Sequence, residues 1–296
     1  MRLMTAYLGV ILIWSTTPLA IKWSGEGPGF LFGVTARMTI GLIGVLLLMV
    51  FSRKTWRLDA SARWSYLAGS TQIFGSMLVT YWSSQHIPSG WISVVFGLTP
   101  LLTAPFAAFW LGERSLTGPR LLSYILGAGG LGLIFHSALS FSSAAVAGIC
   151  GILLASLLQA ISSVWVKRIN AGLPALTQVT GSLVLSVPAY WVVWSVFDGD
   201  WPTSLPQVSL LSILYLGGIA TTLGFTLYFF VLQQLPASRV AMITLVTPVM
   251  SLYVGHFANH EPLHGPVLTG TGLIIAALFL HEMGSYAPIR RWRRRR

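Results

Sequence analysis

Residues 29–63 read GFLFGVTARMTIGLIGVLLLMVFSRKTWRLDASAR, an apolar run followed by a short basic segment. A helix needs roughly 20 apolar residues to cross the hydrocarbon core of a bilayer, so residues 29–51 predict one transmembrane helix. Loops rich in Lys and Arg stay on the cytoplasmic side of a membrane. The basic segment therefore also predicts which end of this helix faces the cytoplasm.

The same pattern covers the whole chain. Charged residues form 8% of the 296 residues and apolar residues 54%, whereas a soluble protein of this length needs a far more charged surface. Backbone groups in lipid must be paired within one segment, and the alternating pattern of a β-barrel is absent, so the apolar runs predict helices. We expect an all-α polytopic membrane protein with ten transmembrane helices, at about residues 4–22, 29–51, 64–85, 89–111, 119–136, 144–166, 174–197, 208–233, 237–258 and 265–283.

The distribution of charge predicts the orientation. With both termini in the cytoplasm, every Lys and Arg except Lys22 and Arg37 falls on the cytoplasmic side. The predicted outer loops carry the acids Glu26, Asp198, Asp200 and Glu261. We therefore expect a multi-pass protein of the cell inner (plasma) membrane with cytoplasmic N and C termini.

Composition and motifs argue against several other functions. The net charge of +11 includes six arginines in the tail Arg290–Arg296, which indicates contact with anionic membrane lipids and not nucleic-acid binding. The single cysteine, Cys150, allows neither a disulfide within the chain nor a cysteine metal cluster. Because Gly-x-Ser-x-Gly, His-Glu-x-x-His, paired intramembrane Asp and P-loop motifs are all absent, we expect no enzyme, no catalytic residue, no metal and no cofactor.

The chain contains an internal repeat with an offset of 148 residues. It pairs Gln85-His86-Ile87-Pro88-Ser89 with Gln233-Gln234-Leu235-Pro236-Ala237, Leu98-Thr99-Pro100 with Val246-Thr247-Pro248, and Glu113 with Glu261. Each half then holds five helices, and because five is odd the halves insert in opposite directions. We expect a 5+5 inverted repeat in which residues 1–140 form the first five-helix repeat, 141–285 the second and 286–296 a basic cytoplasmic tail.

Several short motifs occur in a definite order. They are WSTTPLAIK at 14–22, Ala36-Arg37, IPSGW at 87–91, LGER at 111–114, YLGG at 215–218 and the segment from Pro248 through Glu261 to Leu263. Together they resemble the drug/metabolite transporter superfamily, in its ten-helix EamA-type branch, over essentially the whole chain. Asn259-His260-Glu261 departs from the Leu-Gly-Glu usual there. The resemblance implies two EamA-type repeats and small-molecule transport, usually export, without specifying the substrate.

Arg37 is the one charge well inside a predicted span, roughly 12 Å from its outer end. An ionisable residue within a membrane is costly and therefore a functional candidate. It has two interpretations, an anchor for a substrate carboxylate or phosphate, or a structural Arg bonded to backbone carbonyls. Lys22 likewise fits a gate charge or a snorkelling anchor. We expect Glu113 and Glu261 to cap helices or to pair with neighbours such as Arg114 and His264.

Two prolines, Pro100 and Pro248, fall inside predicted helices at equivalent positions. Each removes a helical hydrogen bond, so freed carbonyls beside Thr99 and Thr247 are candidates for a hinge or a polar binding site. Polar and aromatic side chains complete the candidate substrate site, which comprises Trp14, Ser15, Arg37, Gln72, Tyr81, Trp82, Thr99, Pro100, Gln159, Ser163, Tyr228, Thr247 and Pro248. Aromatic walls suit aromatic or cationic solutes.

The expected function is transport of small metabolites such as amino acids, aromatic or cationic solutes among them, out of the cell by alternating access between the two halves. One alternative is a flippase or efflux carrier for lipids or drugs. A membrane-embedded enzyme is a more remote alternative. The glycine-rich fifth and tenth helices fit packing within the bundle or a homodimer. The expected partners are thus a small-molecule substrate, anionic lipids and a second copy of the chain.

Overall fold

The computed structural model describes residues 3–53, 55–112, 118–236, 239–240 and 243–293, and their side chains except those of 120, 140, 141, 244, 245 and 282–293. Every regular element within these ranges is helical, and the elements form ten rods, α1–α10. The all-α class is therefore confirmed. Glu113 and Arg114, and the side chains of the basic tail, lie outside the described residues.

Seven rods are regular helices: α1 (Leu3–Gly25), α2 (Phe30–Phe51), α5 (Gly118–Phe141), α6 (Ser143–Ile169), α7 (Ala175–Phe197), α9 (Ile243–Asn259) and α10 (Gly265–Arg293). The other three contain an irregularity. In α3, Ala60–Ser70 leads into the π-helical segment π1 (Thr71–Ser76) and then Met77–Ser84; α4 consists of Ser89–Phe96 and Thr99–Leu111; and in α8, Gln207–Tyr215 leads into π2 (Leu216–Phe225) and then Thr226–Gln234.

Seven helices in the described part of the chain are long and apolar enough to cross a membrane. They are Leu3–Gly25, Phe30–Phe51, Ser89–Leu111, Leu121–Leu139, Ser143–Ile169, Ala175–Phe197 and Gln207–Gln234, and Gly265–His281 is a shorter apolar helix. The number of ten membrane spans therefore stays a prediction, because the described parts of α3, α9 and α10 do not meet the same standard.

Pro and Gly residues mark the helix boundaries. Pro88, Pro174 and Pro206 immediately precede α4, α7 and α8, where a missing amide proton costs no helical hydrogen bond. Gly112 ends α4 with φ 68°, and Asn170 ends α6 with φ 46°. Left-handed residues of this kind are common helix terminators.

Two boundaries differ from expectation. The predicted continuous helix at 89–111 is interrupted at Gly97 and Leu98, because Pro100 has no N–H to donate to the Phe96 carbonyl one turn earlier and its ring crowds that carbonyl. The last helix was expected to end near residue 283, but α10 continues to Arg293. The segment 286–296, predicted as a tail, therefore begins as part of this helix.

The packing of the rods has a regular pattern. Helix α1 packs against α8 and α9, and α6 packs against α3 and α4. Likewise α2 packs against π2 of α8, and α7 packs against π1 of α3, while α2 pairs with α7, α4 with α9 and α5 with α10. When each helix is exchanged for the one five places away in the chain, each of these contacts becomes either another contact named here or itself.

Glycines bring α5 and α10 into backbone contact. A Cβ atom on Gly130 would lie 2.6 Å from the carbonyl oxygen of Gly270, and one on Gly270 would lie 2.8 Å from that of Gly130. The glycine-rich helices therefore pack within the bundle, as one of the two interpretations predicted. Gly129, Gly132 and Gly272 have no atom within 4 Å of an added Cβ, so the homodimer stays a prediction.

Candidate functional site

A cavity of about 60 Å³ lies inside the bundle, between α1, α2, α3, α4, α6, α8 and α9. Its walls are mostly apolar, with a small number of polar groups. It is lined by Trp14, Thr17, Pro18, Ile21, Arg37, Gln72, Met77, Thr80, Ile92, Ser93, Phe96, Gln159, Phe225 and Thr247. Pockets of this composition are the usual form of small-molecule sites.

Arg37 is the one charged side chain among the described lining residues of this central cavity. It is only 2% exposed. Its Nε donates a hydrogen bond to Thr221 Oγ1 at 3.0 Å, and its guanidinium carbon lies 5.8 Å from the centre of the Tyr81 ring. Its Nη1 has no hydrogen-bond partner in the described structure. The guanidinium is thus held by a hydrogen bond at Nε, while Nη1 has no partner in the described structure.

Close packing of α2 on π2 places Thr221 beside Arg37. A Cβ on Gly41 would lie 2.3 Å from Thr221 Cγ2, and one on Gly217 would lie 2.7 Å from Ile40 Cβ. Only glycine at these positions permits such an approach. Within the same π-helical segment, Thr222 Oγ1 donates to the Gly217 carbonyl at 2.9 Å.

Gln72 lies in π1 and is 1% exposed. Neither its amide nitrogen nor its amide oxygen has a hydrogen-bond partner in the described structure. The hydroxyl of Tyr190, from α7, lies 2.7 Å from the Ile73 carbonyl and 3.0 Å from the Phe74 carbonyl and donates to them. Because π-helical segments disturb the regular backbone pairing, Tyr190 stabilises the turn that carries Gln72.

Aromatic rings form one side of the cavity. Trp14 stacks on Tyr228 with ring centroids 5.1 Å apart and an interplanar angle of 28°. Phe96 and Phe225 line the cavity as well. This wall offers a flat apolar surface, while Arg37, Gln72 and Gln159 offer polar groups.

At one end of the bundle, the Lys22 end, α1, α4 and the loop after α9 are joined by a network around Glu261. The Glu261 carboxylate is 7% exposed and lies 3.7 Å from Lys22 Nζ. It accepts hydrogen bonds from the backbone amides of Ser89 (2.9 Å) and Gly90 (3.1 Å), and from Ser89 Oγ (3.0 Å). It therefore caps the N terminus of α4, where the helix dipole favours a negative charge. The predicted pairing of Glu261 with His264 is replaced by the pairing with Lys22.

The opposite end, the Lys167 end, contains a cleft of about 460 Å³. Its lining includes Val166 of α6 and Phe229 of α8, one to two turns beyond the cavity residues Gln159 and Phe225 on the same helices. The cleft is lined by Ser65, Val166, Lys167, Asn170, Ala171, Gly172, Leu173, Pro174, Gln178, Phe229, Leu232 and Gln233.

Arg57 joins two loops at the Lys167 end. Its Nε donates to Asp59 Oδ1 at 3.0 Å, and its Nη1 donates to the Ala171 carbonyl at 2.9 Å. Hydrogen bonds from Ser61 and Arg57 hold the pKa of the Asp59 carboxyl below its ordinary value. The basic segments that follow α2 and end α6 thus lie at the same end of the bundle.

The structure brings part of the predicted site together. Trp14, Arg37, Gln72, Gln159 and Thr247 line the cavity. Tyr228 and Tyr81 lie directly behind it, against Trp14 and Arg37 respectively. Ser15 and Ser163 donate instead to backbone carbonyls of their own helices, those of Ile11 and Ala160.

Trp82 lies outside the cavity. Its side chain is 39% exposed on the surface of the bundle, and its ring contacts His86. The physical reason is the helical rotation between neighbouring residues of α3. Tyr81 points into the bundle and is fully buried, so Trp82 points outward.

The two predicted proline motifs meet in space. Thr99 Oγ1 donates to the Phe96 carbonyl at 2.5 Å, across the interruption in α4, and Pro100 begins the second segment of this rod. Pro248 lies within α9, and its Cγ would be 3.5 Å from a Cβ added to Gly97. Of the four residues, Thr247 lines the cavity.

Comparison with known protein families identifies the class of this chain. The model of the EamA-like transporter family matches residues 2–136 and again residues 146–282. The chain belongs to the EamA-like transporter family. The helices and the family together describe a multi-pass membrane protein and a transporter, as the resemblance implied.

Curated relatives of this EamA-like transporter are distant. It is 25% identical over 283 residues to "Uncharacterized transporter YoaV" of Bacillus subtilis (strain 168), covering 95% of this chain and 96% of the relative. It is 26% identical over 216 residues, 70% of each chain, to "Probable amino-acid metabolite efflux pump" of Escherichia coli (strain K12). A crystal structure of another protein, 20% identical, has a TM-score of 0.69 over 94% of this chain and 96% of the other, which shows a shared fold.

Some site residues of this EamA-like transporter were missed by sequence reasoning. Thr221, which holds Arg37, lies 184 positions away in the chain, and nothing in its local sequence marks it. The apolar lining residues Ile21, Met77, Ile92 and Phe225 resemble any other apolar residue of a span. The Lys22–Glu261 pairing could have been found only by placing the α9–α10 loop beside the end of α1.

Proposed function

We propose that this protein exports small metabolites such as amino acids across the cell inner membrane, by alternating access between two inverted five-helix halves. The observation that carries the proposal is the central cavity, which holds the buried and unpaired polar groups of Arg37 and Gln72. Polar groups that are unpaired inside a bundle are costly unless a ligand pairs with them. The E. coli relative's name, an amino-acid metabolite efflux pump, supports this class of substrate.

Three observations support two repeats. The family model matches the chain twice. The most extensive helix contacts are preserved when helices five places apart are exchanged. Helices α2 and α7 begin at 30 and 175, and π1 and π2 begin at 71 and 216, both at an offset of 145 residues. We therefore assign residues 1–140 and 141–285 to the two halves, with the cavity between them.

The distribution of charge supports an orientation. Arg57 and the loop after Lys167 lie together at the Lys167 end, whereas Lys22, Glu26 and Glu261 belong to the other end. By the positive-inside rule the Lys167 end faces the cytoplasm. We propose that both termini are cytoplasmic and that the tail Arg290–Arg296 contacts anionic lipids.

Open space lies at both ends of the bundle. A groove between α1, α8 and α9 lies beside the Glu261 network at the Lys22 end, and the cleft lies at the Lys167 end. We propose that a substrate enters through the cleft from the cytoplasm. Release then requires the Glu261 carboxylate to part from Lys22, from Ser89 and from Gly90, so that the outer end opens.

The test is counterflow in liposomes that contain the purified protein. The panel comprises aromatic, sulfur-containing and small neutral amino acids, a sugar, a cationic dye and a fluorescent lipid. Saturable exchange of amino acids is the expected result, and Gln159→Ala should reduce it because Gln159 lines the cavity. Movement of the lipid alone would replace the proposal with a flippase, and a folded, correctly inserted protein that exchanges nothing would refute it.

A further inference from the structure

We propose that the transported substrate carries a carboxylate, and that Arg37 and Gln72 bind it. This inference rests on the proposed transport function and goes further, because it assigns one chemical group of the substrate to two named side chains. It starts from the charge and the unused hydrogen-bonding capacity of the central cavity.

The first step concerns charge. An arginine side chain remains protonated in proteins, and a buried charge is strongly unfavourable unless an opposite charge or several hydrogen bonds compensate for it. No acidic residue belongs to the described lining of the cavity. The contacts of Arg37 with the Thr221 hydroxyl and the Tyr81 ring compensate only in part. A bound anion would supply the missing negative charge.

The second step concerns direction. Thr221 Oγ1 accepts the hydrogen bond of Arg37 Nε. Arg37 Nη1 is buried and has no partner in the described structure, and Arg37 lines the cavity. A guanidinium presents its N–H groups in a fixed plane that matches the two oxygens of a carboxylate. An arginine that served only to join helices would be expected to use its terminal nitrogens on protein carbonyls, and Nη1 does not.

The third step brings in Gln72. Its amide nitrogen is the other buried, unpaired donor bordering the cavity. The contact of Tyr190 with the carbonyls of Ile73 and Phe74 holds the π-helical turn in place, so the amide is positioned before a ligand arrives. One guanidinium and one amide together suit a monoanionic carboxylate. A phosphate dianion would need a second cation, which the described lining lacks.

The rest of the cavity fits the remainder of an amino acid. The stacked pair of Trp14 and Tyr228 offers a surface for an apolar or aromatic side chain. The amide oxygen of Gln72, unpaired as well, is an acceptor for an ammonium group. A solute that is only cationic lacks a partner for Arg37 and is repelled by it, so the charge argues against the cationic solutes that aromatic walls alone would suit.

The experiment compares matched probes on the full-length protein. L-phenylalanine, L-phenylalaninamide and glycerol 3-phosphate are tested by competition in counterflow in liposomes and by thermal stabilisation of the purified protein in detergent. We expect L-phenylalanine to bind about 10- to 100-fold more tightly than its amide, the range of a charge-assisted hydrogen bond. Glycerol 3-phosphate should bind weakly.

Variants separate recognition from structure. Arg37→Gln should reduce the affinity for L-phenylalanine about 10- to 100-fold and leave that for the amide unchanged, so that the preference disappears. Thr221→Val keeps the charge and should weaken the preference less. Arg63→Gln, the same substitution at an exposed position on α3, is the control and should retain the wild-type preference.

The outcomes distinguish this inference from the transport function. Equal binding of acid and amide by the wild-type protein, or a preference that survives in Arg37→Gln, would overturn the carboxylate site even if both probes are transported. Tighter binding of glycerol 3-phosphate would overturn it in favour of phosphate. If no probe is exchanged in liposomes, the transport function fails, and thermal stabilisation by L-phenylalanine but not by its amide would still support the site, while its absence would refute it.

Discussion

Lys22 Nζ lies 3.7 Å from Glu261 Oε1, and this ion pair joins the end of α1 to the loop between α9 and α10. Lys22 is 28% exposed, so the pair alone contributes little, about 0–1 kcal/mol. The hydrogen bonds of Glu261 to Ser89 and Gly90 are buried and contribute more. The carboxylate is therefore the central element of this network, and Lys22 supports it.

This relationship predicts that Glu261→Gln opens the Lys22 end more than Lys22→Met does. The test uses Ser93→Cys, inside the cavity, in a Cys150→Ala background that removes the single native thiol. A membrane-impermeant thiol reagent added to the outer side should label Cys at this position several-fold faster in Glu261→Gln. Lys167→Met, at the opposite end, serves as the control. An unchanged labelling rate in Glu261→Gln would show that this network does not close the cavity.

A second prediction concerns Gly255, which gives the Glu261 carboxylate its space. A Cβ at this position would lie 2.5 Å from Glu261 Oε2 and 3.0 Å from Ser89 Oγ. Gly255→Ala should therefore destabilise the protein by about 1–3 kcal/mol, the usual cost of overpacking. Gly272→Ala, in α10 with open space around it, should be neutral or stabilising, since Ala favours helices. Melting temperatures in detergent decide the matter, and equal values for the two variants would contradict the prediction.

A third prediction concerns the junction of α3 and α7. The Gln178 amide nitrogen donates to the Ser65 carbonyl at 2.8 Å, and its amide oxygen accepts from Ser65 Oγ at 2.5 Å. Gln178→Leu leaves the buried Ser65 hydroxyl without its acceptor, at a cost of about 1–3 kcal/mol. Thr177→Val is the matched control, because Thr177 Oγ1 has no partner in the described structure. Thermal unfolding should show a clear loss for Gln178→Leu alone; comparable losses would argue against this network.

The fourth prediction concerns the aromatic wall. Trp14→Ala removes the ring that stacks on Tyr228 and should weaken L-phenylalanine transport about 10-fold, while small neutral amino acids are less affected. Trp82→Ala removes a ring of the same type from the surface of the bundle and should leave both rates close to wild type. Counterflow with the two substrate sizes gives the comparison. An equal loss for both sizes in Trp14→Ala would indicate a general structural role.

The candidate site was predictable in part. Arg37 and Gln72 could be selected from the sequence, because a charge or an amide within an apolar run is rare and costly in a membrane. Trp82 is a candidate for the same reason as Trp14, because both are tryptophans within apolar runs, yet Trp82 lies on the outer surface. Aromatic residues are favourable both inside a bundle and at its surface in a membrane, so residue type alone does not distinguish the two positions.

The sequence by itself determined the helical class, the approximate helix positions and the family. These follow from local properties, namely the length of apolar runs, the position of prolines and the order of short motifs, which require no knowledge of what packs against what. The offset between repeated motifs also predicted which helices correspond.

Only the tertiary structure decided the contacts between distant segments. It placed Thr221 against Arg37, Glu261 against Lys22 and Tyr190 against the π-helical turn of Gln72. These contacts depend on the rotation of each helix about its axis and on glycine contacts that fix its distance from its neighbours. Both result from the packing of all ten rods at once, so no single stretch of sequence contains them.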